Sequence, residues 1–154
     1  MSSIRENLSQ TLKTAMKAKD ENTLTTVRMI ISKMKERDIE ARVSGNMNGI
    51  ADPELLTLMQ GMIKQRQESA KMYRDGGRPE LADKEDAEIK IIEQFLPAQM
   101  NDDQIADVIA GIIAKTGAAG VKDMGKIMAE LKANYAGQLD MAKAGAVVKQ
   151  KLAG

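Results

Sequence analysis

Residues 77–97 read GRPELADKEDAEIKIIEQFLP, and this stretch contains the two features that decide the fold. Its apolar residues recur at the intervals of one face of an α-helix and do not alternate as they do in a β-strand. Pro79 suits the first turn of that helix, and Pro97 prevents the helix from continuing. The stretch therefore predicts one amphipathic helix that is followed directly by a boundary. Its apolar face consists of Leu81, Ile89, Ile92, Phe95 and Leu96.

Three stretches upstream of this helix have the same spacing, which predicts three further helices. Ser3 and Glu6 form the pattern of a capping box at the start of the first, and Asp20 is a cap former before the second. Two Gly and two Asn in residues 44–52 predict a mobile surface loop, after which Asp52 is expected to cap the third helix. The expected core faces are Ile4, Leu8, Leu12, Ala15 and Met16 in the first helix, Leu24, Val27, Ile31 and Met34 in the second, and Leu55, Met59, Met62, Ile63, Ala70 and Tyr73 in the third.

The rest of the chain contains three more stretches with helical spacing. Asp102 is expected to cap the first of them, and Asp140 is expected to begin the last. The apolar residues do not form the alternating, turn-bounded segments that are typical of a β-sheet. We therefore predict an all-α protein in which residues 1–97 form an N-terminal four-helix bundle and residues 98–154 form a smaller C-terminal three-helix bundle.

The residue types that are missing exclude most enzyme chemistry. The 154 residues include no Cys and no His, so thiol nucleophiles, disulfides, imidazole bases and the common zinc sites are unavailable. Glu85 and Glu88 lie three residues apart on the fourth predicted helix, but carboxylate metal sites in helical bundles add His ligands. We interpret these two residues as a solvated helix face. We expect no catalytic residue, no metal site and no cofactor, and no enzymatic activity of the chain on its own.

Residues 120–127, GVKDMGKI, match the Gly and Lys spacing of a phosphate-binding loop except at the last position. Ile127 stands where such a loop has Ser or Thr, and no strand pattern precedes Gly120, so we do not expect nucleotide hydrolysis. Lys122 and Lys126 nevertheless lie one helical turn apart at the start of a predicted helix, where a phosphate group can bind.

Charge is distributed unevenly along the chain. Its net charge is only +1, but residues 115–154 contain seven Lys and three acidic residues, a local excess of four positive charges. A Lys-rich surface of this kind has two interpretations, binding of RNA phosphates or simple solubility. Base stacking is limited to Tyr135 in this part of the chain, which favours recognition of RNA backbone or shape. The candidate contacts are Lys122, Lys126, Lys132, Lys143, Lys149 and Lys151.

Several polar motifs resemble the YqeY family, and the resemblance spans nearly the whole chain. Its most specific part is residues 77–97, because helical spacing does not dictate the polar positions there. Further matching positions are Arg28-Met29-Ile30, Lys64-Gln65-Arg66, Glu68-Ser69 and Lys122-Asp123-Met124-Gly125-Lys126. That family is similar to the tail domain of the B subunit of the aspartyl/glutamyl-tRNA amidotransferase.

The resemblance implies two helical bundles and contact with tRNA. It does not imply catalysis, because other domains and subunits of the large enzyme perform its reaction. Free-standing members often carry the label of a glutamine-dependent carbon–nitrogen ligase, but this chain lacks the domains that such a reaction needs. Lys122, Lys126 and residues 137–140, where the last helix is expected to begin, also match the family pattern. Met141 is a departure, since the family commonly has Gly at that position.

These observations lead to a first hypothesis and an alternative. The first is a non-catalytic module that binds tRNA through Lys122, Lys126, Lys132 and Lys143, alone or beside an amidotransferase. The chain shows no secretory signal and no run of about 20 apolar residues, so we expect a cytoplasmic protein without a membrane partner.

The alternative is a protein-interaction adaptor that uses the polar face of the four-helix bundle. The same polar residues can instead form ion pairs inside the bundle, with Glu85 or Glu88 bound to Arg28 or Arg66. This polar face consists of Arg28, Lys64, Arg66, Arg78, Lys84, Glu85 and Glu88.

Overall fold

The computed structural model describes residues 3–153, and within this range it contains seven α-helices and no β-strand. The prediction of an all-α protein is therefore confirmed. A short 3-10 turn, Val121–Asp123, precedes the sixth helix. The helices are α1 (Ile4–Ala18), α2 (Glu21–Val43), α3 (Asp52–Asp75), α4 (Pro79–Glu93), α5 (Asp102–Thr116), α6 (Met124–Asn134) and α7 (Met141–Ala153).

The first two helices begin with the predicted caps. Ser3 Oγ accepts a hydrogen bond from the Glu6 amide at 3.2 Å, and the Glu6 carboxylate accepts one from the Ser3 amide at 3.0 Å. These two bonds form the predicted capping box. At the start of α2, Asp20 Oδ1 accepts a hydrogen bond from the Thr23 amide at 3.2 Å. Both caps satisfy amides that the helices themselves leave without partners.

Two of the predicted caps are wrong by one residue. The cap of α5 is Asn101, whose Oδ1 accepts from the Gln104 amide at 2.8 Å while the Gln104 side chain accepts from the Asn101 amide at 2.9 Å. This reciprocal pair leaves Asp102 as the first helical residue. At α3 the cap position is Ala51, which has no capping side chain, and Asp52 is the first helical residue.

The first compact unit ends at Leu96 and contains α1 to α4. Helix α1 packs against α2, α3 packs against α4, and α2 also contacts α3 and α4. Met16 was expected in the core, but its side chain points outward and is 53% exposed. The buried core residues are Leu8, Val27, Ile30, Met34, Ile50, Leu55, Met59, Met62, Ile91 and Ile92.

The second compact unit begins at Pro97 and contains α5 to α7, each of which contacts the other two. The Met100 amide donates a hydrogen bond to the Gln138 carbonyl at 2.7 Å, which ties the start of this unit to the α6–α7 connection. Met141 is the first residue of α7 and does not have a positive φ, so this turn does not require glycine there. The buried core residues are Ile105, Ile109, Ile112, Ile127, Leu131, Leu139, Ala144 and Val148.

Among residues 3–153, no single helix is both long enough and apolar enough to cross a membrane. The required length and hydropathy are reached only when Asp102–Thr116 and Val121–Asn134 are taken together. These two segments meet at an angle of 98°. Their most apolar side chains, including Ile109 and Ile127, are buried in the core of the second unit.

Thr26 is a fully buried polar residue of α2, and its Oγ1 has no hydrogen-bond partner within residues 3–153. A buried hydroxyl without a partner is less stable than an apolar group of the same shape. We therefore expect Thr26→Val to raise the free energy of unfolding by about 1 kcal/mol in urea denaturation. Thr25→Val is the matched control, because Thr25 is exposed on the same helix. Equal changes in the two variants would contradict this explanation.

Candidate nucleic-acid interface

The segment before α6 does not have the structure of a phosphate-binding loop. Residues 121–123 form a 3-10 turn, and no strand precedes Gly120 in the part of the chain that the structure describes. The Asp123 carboxylate accepts a hydrogen bond from the Ala119 amide at 3.0 Å, so a negative charge lies at the start of the helix. A phosphate is repelled by that carboxylate. The lysine side chains are therefore the stronger phosphate-binding groups of this segment.

Helix α6 exposes a strip of small residues between two lysines. Successive residues of an α-helix are about 100° apart, so Gly125, Ala129 and Ala133 share one face, with Lys126 and Lys132 on either side of it. All five residues are exposed. Neither lysine forms a hydrogen bond or an ion pair with any residue in the range 3–153. Because the small residues project little, a ligand backbone can approach the helix closely and contact both ammonium groups.

Helix α7 has a similar exposed face. Ala142 and Ala146 lie between Lys143 and Lys149, and all four are exposed. The Lys143 ammonium lies 3.7 Å from Asp102 Oδ1. Both side chains of this pair are more than half exposed, so the pair contributes little to stability and leaves Lys143 able to bind a ligand.

The charges of the second unit are separated by helix. Helices α6 and α7 together contain five lysines and one glutamate, whereas α5 contains three aspartates and one lysine. Lys122, in the 3-10 turn, is exposed and forms no ion pair within residues 3–153. A polyanion is therefore attracted to the side of this unit that α6 and α7 form.

In the first unit the structure brings Arg66 and Glu88 together. Arg66 Nε donates a hydrogen bond to Glu88 Oε2 at 2.9 Å, which joins α3 to α4. The side chains are only 11% and 15% exposed. Arg66 Nη1 also donates to the Met62 carbonyl at 3.2 Å, and its Nη2 lies 3.7 Å from the Met29 sulfur of α2. These two residues therefore connect three helices. The interpretation of Glu88 as part of a solvated helix face is wrong, because its carboxylate is largely buried and bound to Arg66.

The other polar residues of the predicted face are not brought into that cluster. Arg78 Nε donates to Glu80 Oε1 at 2.6 Å, and this hydrogen bond lowers the pKa of Glu80. Glu85 is half-buried without a hydrogen bond or ion pair inside the described range. No three acidic side chains among residues 3–153 lie close enough to hold a metal ion. Three residues of the predicted polar face are exposed and form no hydrogen bond or ion pair within residues 3–153. They are Arg28, Lys64 and Lys84.

A second ion pair, between Arg5 of α1 and Asp38 of α2, was not anticipated from the sequence. The Arg5 guanidinium donates to both Asp38 oxygens, at 2.7 and 2.9 Å, and also to the Ile50 carbonyl at 2.9 Å. The Ile50 amide in turn donates to Asp38 Oδ1 at 2.9 Å. The hydrogen bonds from Arg5 lower the pKa of Asp38, against the effect of burial, and the Ile50 amide lowers it further. We call Arg5, Asp38 and Ile50 the clasp.

The clasp fixes the end of the loop between α2 and α3. Gly49 has a φ of +82°, and a Cβ atom on it would lie 2.5 Å from Asp38 Oδ1. Asn46 Nδ2 also donates to the Gly49 carbonyl at 2.8 Å. The end of the segment that was predicted as a mobile surface loop is therefore held by specific hydrogen bonds. No periodic pattern in the sequence signals these bonds, because Arg5 and Asp38 are 33 residues apart.

Comparison with protein families matches residues 5–152 to the family described as "Yqey-like protein". The chain is also similar to the protein named "Altered inheritance of mitochondria protein 41, mitochondrial" of three organisms. It is 29% identical to that of Vanderwaltozyma polyspora over 123 residues, which cover 76% of this chain and 64% of the relative. The identity is 34% over 90 residues for Lachancea thermotolerans, with 58% and 46% covered. For Eremothecium gossypii it is 32% over 92 residues, with 60% and 48% covered. The matches thus span less than two thirds of the length of these curated relatives.

Proposed function

The chain belongs to the YqeY-like family, and on this premise we propose that it is a non-catalytic RNA-binding module whose target is tRNA. The similarity of this family to the tail domain of a tRNA amidotransferase subunit supports tRNA as the target. The module acts alone or beside an amidotransferase, and we propose no reaction of its own for it. Its proposed architecture is a four-helix bundle followed by a three-helix bundle, which the two separate apolar cores support.

One observation carries the proposal: α6 exposes Lys126 and Lys132 on either side of a strip of small residues, without an acidic partner among residues 3–153. An ion pair with an acidic neighbour on the same helix would partly neutralise a lysine, and neither Lys126 nor Lys132 forms one within residues 3–153. Unpaired lysines beside Gly125 and Ala129 leave space for a sugar–phosphate backbone. Lys122 and Lys143 extend the same positive region in this proposal.

The alternative function, a protein-interaction adaptor, relies on the polar face of the first unit. Arg66 and Glu88 bind each other and Arg78 binds Glu80, so these residues are already engaged. The observation that favours the adaptor is the exposure of Arg28, Lys64 and Lys84 without an ion pair in the described range. We rank it second, because these three residues lie on three different helices and no shared surface is defined by their contacts.

The test is a titration of fluorescently labelled tRNA with the full chain at several salt concentrations. We expect K122E/K126E to weaken binding at least about tenfold, because two phosphate contacts become repulsive. The slope of log affinity against log salt should become shallower by about 0.7 to 0.9 for each lost contact. The effect should be similar for different tRNA species, since phosphate contacts carry no sequence information.

K13E/K17E is the matched control for this titration. Lys13 and Lys17 are also exposed and four residues apart, but they lie on α1 of the first unit. Both double variants change the net charge by the same amount. Equal weakening in the two variants would show that only overall charge matters, and no binding by the unmodified chain at low salt would refute the proposed function.

A further inference from the structure

An open cleft of about 540 Å³ lies between α5 and α6 in the second unit. Val108 and Ile112 of α5 form its apolar wall, and Tyr135 at the end of α6 contributes an aromatic ring. Gly111 of α5 also lines the cleft. A Cβ atom on Gly111 would meet no other atom within 4 Å, so the cleft is open where other residues would place a side chain.

The polar rim of the cleft contains two carboxylates, Asp107 and Glu130, together with Lys115 and Asn134. Glu130 accepts a hydrogen bond from the Asn134 amide group at 2.6 Å and lies 3.7 Å from the Lys115 ammonium. Asp107 also lines the cleft and forms no hydrogen bond or ion pair within residues 3–153. A ligand that enters the cleft therefore meets two carboxylates. The Asp107 carboxylate accepts no hydrogen bond from residues 3–153, so it is available to the ligand.

These groups define the chemistry of the ligand. An aromatic ring beside an apolar wall suits a flat heterocycle, and a carboxylate without a donor suits a ligand that presents N–H groups on its edge. The volume lies in the range typical of small-ligand pockets. The two carboxylates repel phosphate groups, which must remain outside. Lys126, one helical turn before Glu130 on the same side of α6, is available to them there.

We propose that this cleft binds one unstacked, amino-bearing base of an RNA, with the base against Tyr135 and its amino group directed to Asp107. The proposal rests on the RNA-binding function proposed above and deepens it, because backbone contact alone does not require a cleft. The RNA partner is then recognised at a loop or an end, where a base is not paired. Lys126, one helical turn from Glu130 on α6, holds a flanking phosphate.

The binding test uses two oligoribonucleotides of equal length and charge. One consists entirely of abasic nucleotides, and the other has a single central adenine in an otherwise abasic chain. We expect the full chain to bind the adenine-containing oligomer about tenfold more tightly, which lies in the range for stacking of one base on an aromatic side chain. Gly111→Leu should fill the cleft and remove this advantage while leaving affinity for the abasic oligomer unchanged.

Gly61→Leu is the matched control. Gly61 also lies inside a helix, and a Cβ atom on it would meet no other atom within 4 Å, but it belongs to α3 of the first unit. Both substitutions replace a helical glycine by a better helix former, so neither is expected to unfold the protein. The Gly61→Leu protein should keep the full preference for the adenine-containing oligomer.

Tyrosine fluorescence gives a second measurement. The chain contains two Tyr and no Trp, so Tyr73→Phe leaves Tyr135 as its only strong fluorophore. The adenine-containing oligomer should quench this emission, and the abasic oligomer should not.

The outcomes separate this inference from the function on which it rests. If tRNA and the abasic oligomer bind but adenine adds nothing, or if Gly111→Leu keeps the adenine preference, the base-binding cleft is refuted and the RNA-binding function stands. If no RNA binds, both are refuted. Binding of an arginine-containing peptide that is lost in Gly111→Leu, without an adenine preference, would assign the cleft to a protein partner instead.

Discussion

Replacing Glu88 by Ala is expected to lower the free energy of unfolding by about 3 kcal/mol, because it leaves the Arg66 guanidinium buried without its partner. The Arg66 side chain is 11% exposed and cannot turn into water without leaving its contacts with Met62 and Met29. Chemical denaturation followed by circular dichroism at 222 nm, a wavelength that reports helix content, measures the loss. The denaturant concentration at the midpoint of unfolding should fall. The slope of the free energy of unfolding against denaturant concentration should stay the same.

Two further variants show whether the unpaired charge is the cause. Glu36→Ala removes the acid of an exposed pair with Lys33 on α2, and it should change stability little. The double variant R66M/E88L removes both charges and replaces them with apolar side chains of similar length. It should recover most of the stability lost in Glu88→Ala, because neither charge remains unpaired. A double variant as unstable as Glu88→Ala would show that packing, and not the unpaired charge, causes the loss.

The helices could be predicted because their signals are local. Pro79 is the first residue of α4, and Ser3 with Glu6 starts α1, so each of these signals lies at the element it controls. The predicted end of α4 is less accurate, because the helix ends at Glu93, four residues before Pro97. Where two neighbouring residues can both cap, the choice depends on a third. Asn101 caps α5 instead of Asp102 because Gln104 completes the reciprocal pair. This pattern was present in the sequence. At α3 the Asp52-Pro53 pair predicted a cap at Asp52, whereas the structure places the cap position at Ala51, and no signal in the sequence indicates that difference.

The site residues could be predicted as candidates but not as contacts. Arg66 and Glu88 were both identified from the sequence, but they are 22 residues apart, and several other pairings were equally compatible with it. Only the packing of α3 against α4 selects this one. The clasp and the cleft could not be predicted from the sequence. Each is formed by residues that are far apart in the chain and follow no periodic pattern. Asp107 and Tyr135 are an example, because they line the same cleft only after α5 and α6 have packed.

The second large effect is expected at Gly49. Gly49→Ala should lower the free energy of unfolding by about 2 to 3 kcal/mol, from about 1 kcal/mol for an alanine at positive φ plus the loss of hydrogen bonds to the Asp38 carboxylate. The new Cβ would lie 2.5 Å from Asp38 Oδ1 and 2.9 Å from Arg5 Nη2, so both side chains have to shift from the positions in which they bind each other and Ile50. Gly45→Ala is the control, because Gly45 has a φ of +94° and no atom within 4 Å of such a Cβ. The free energy of unfolding of Gly45→Ala should fall only by the cost of an alanine at positive φ. An equal fall in both variants would show that the clasp does not contribute to stability.

The pH dependence of stability in Gly49→Ala and Gly45→Ala shows whether the ion pair of the clasp stabilises the fold. The pKa of Asp38 is lowered in the folded protein, so its carboxylate stabilises the fold fully above its unfolded pKa of about 3.9. That stabilisation decreases as the pH falls through the lower, folded pKa. The stability advantage of the unmodified chain over Gly49→Ala should therefore be constant near neutral pH and shrink below about pH 4. Its advantage over Gly45→Ala should not change with pH, because backbone strain does not titrate. Parallel acid dependence of the two differences would assign the loss at Gly49 to strain alone.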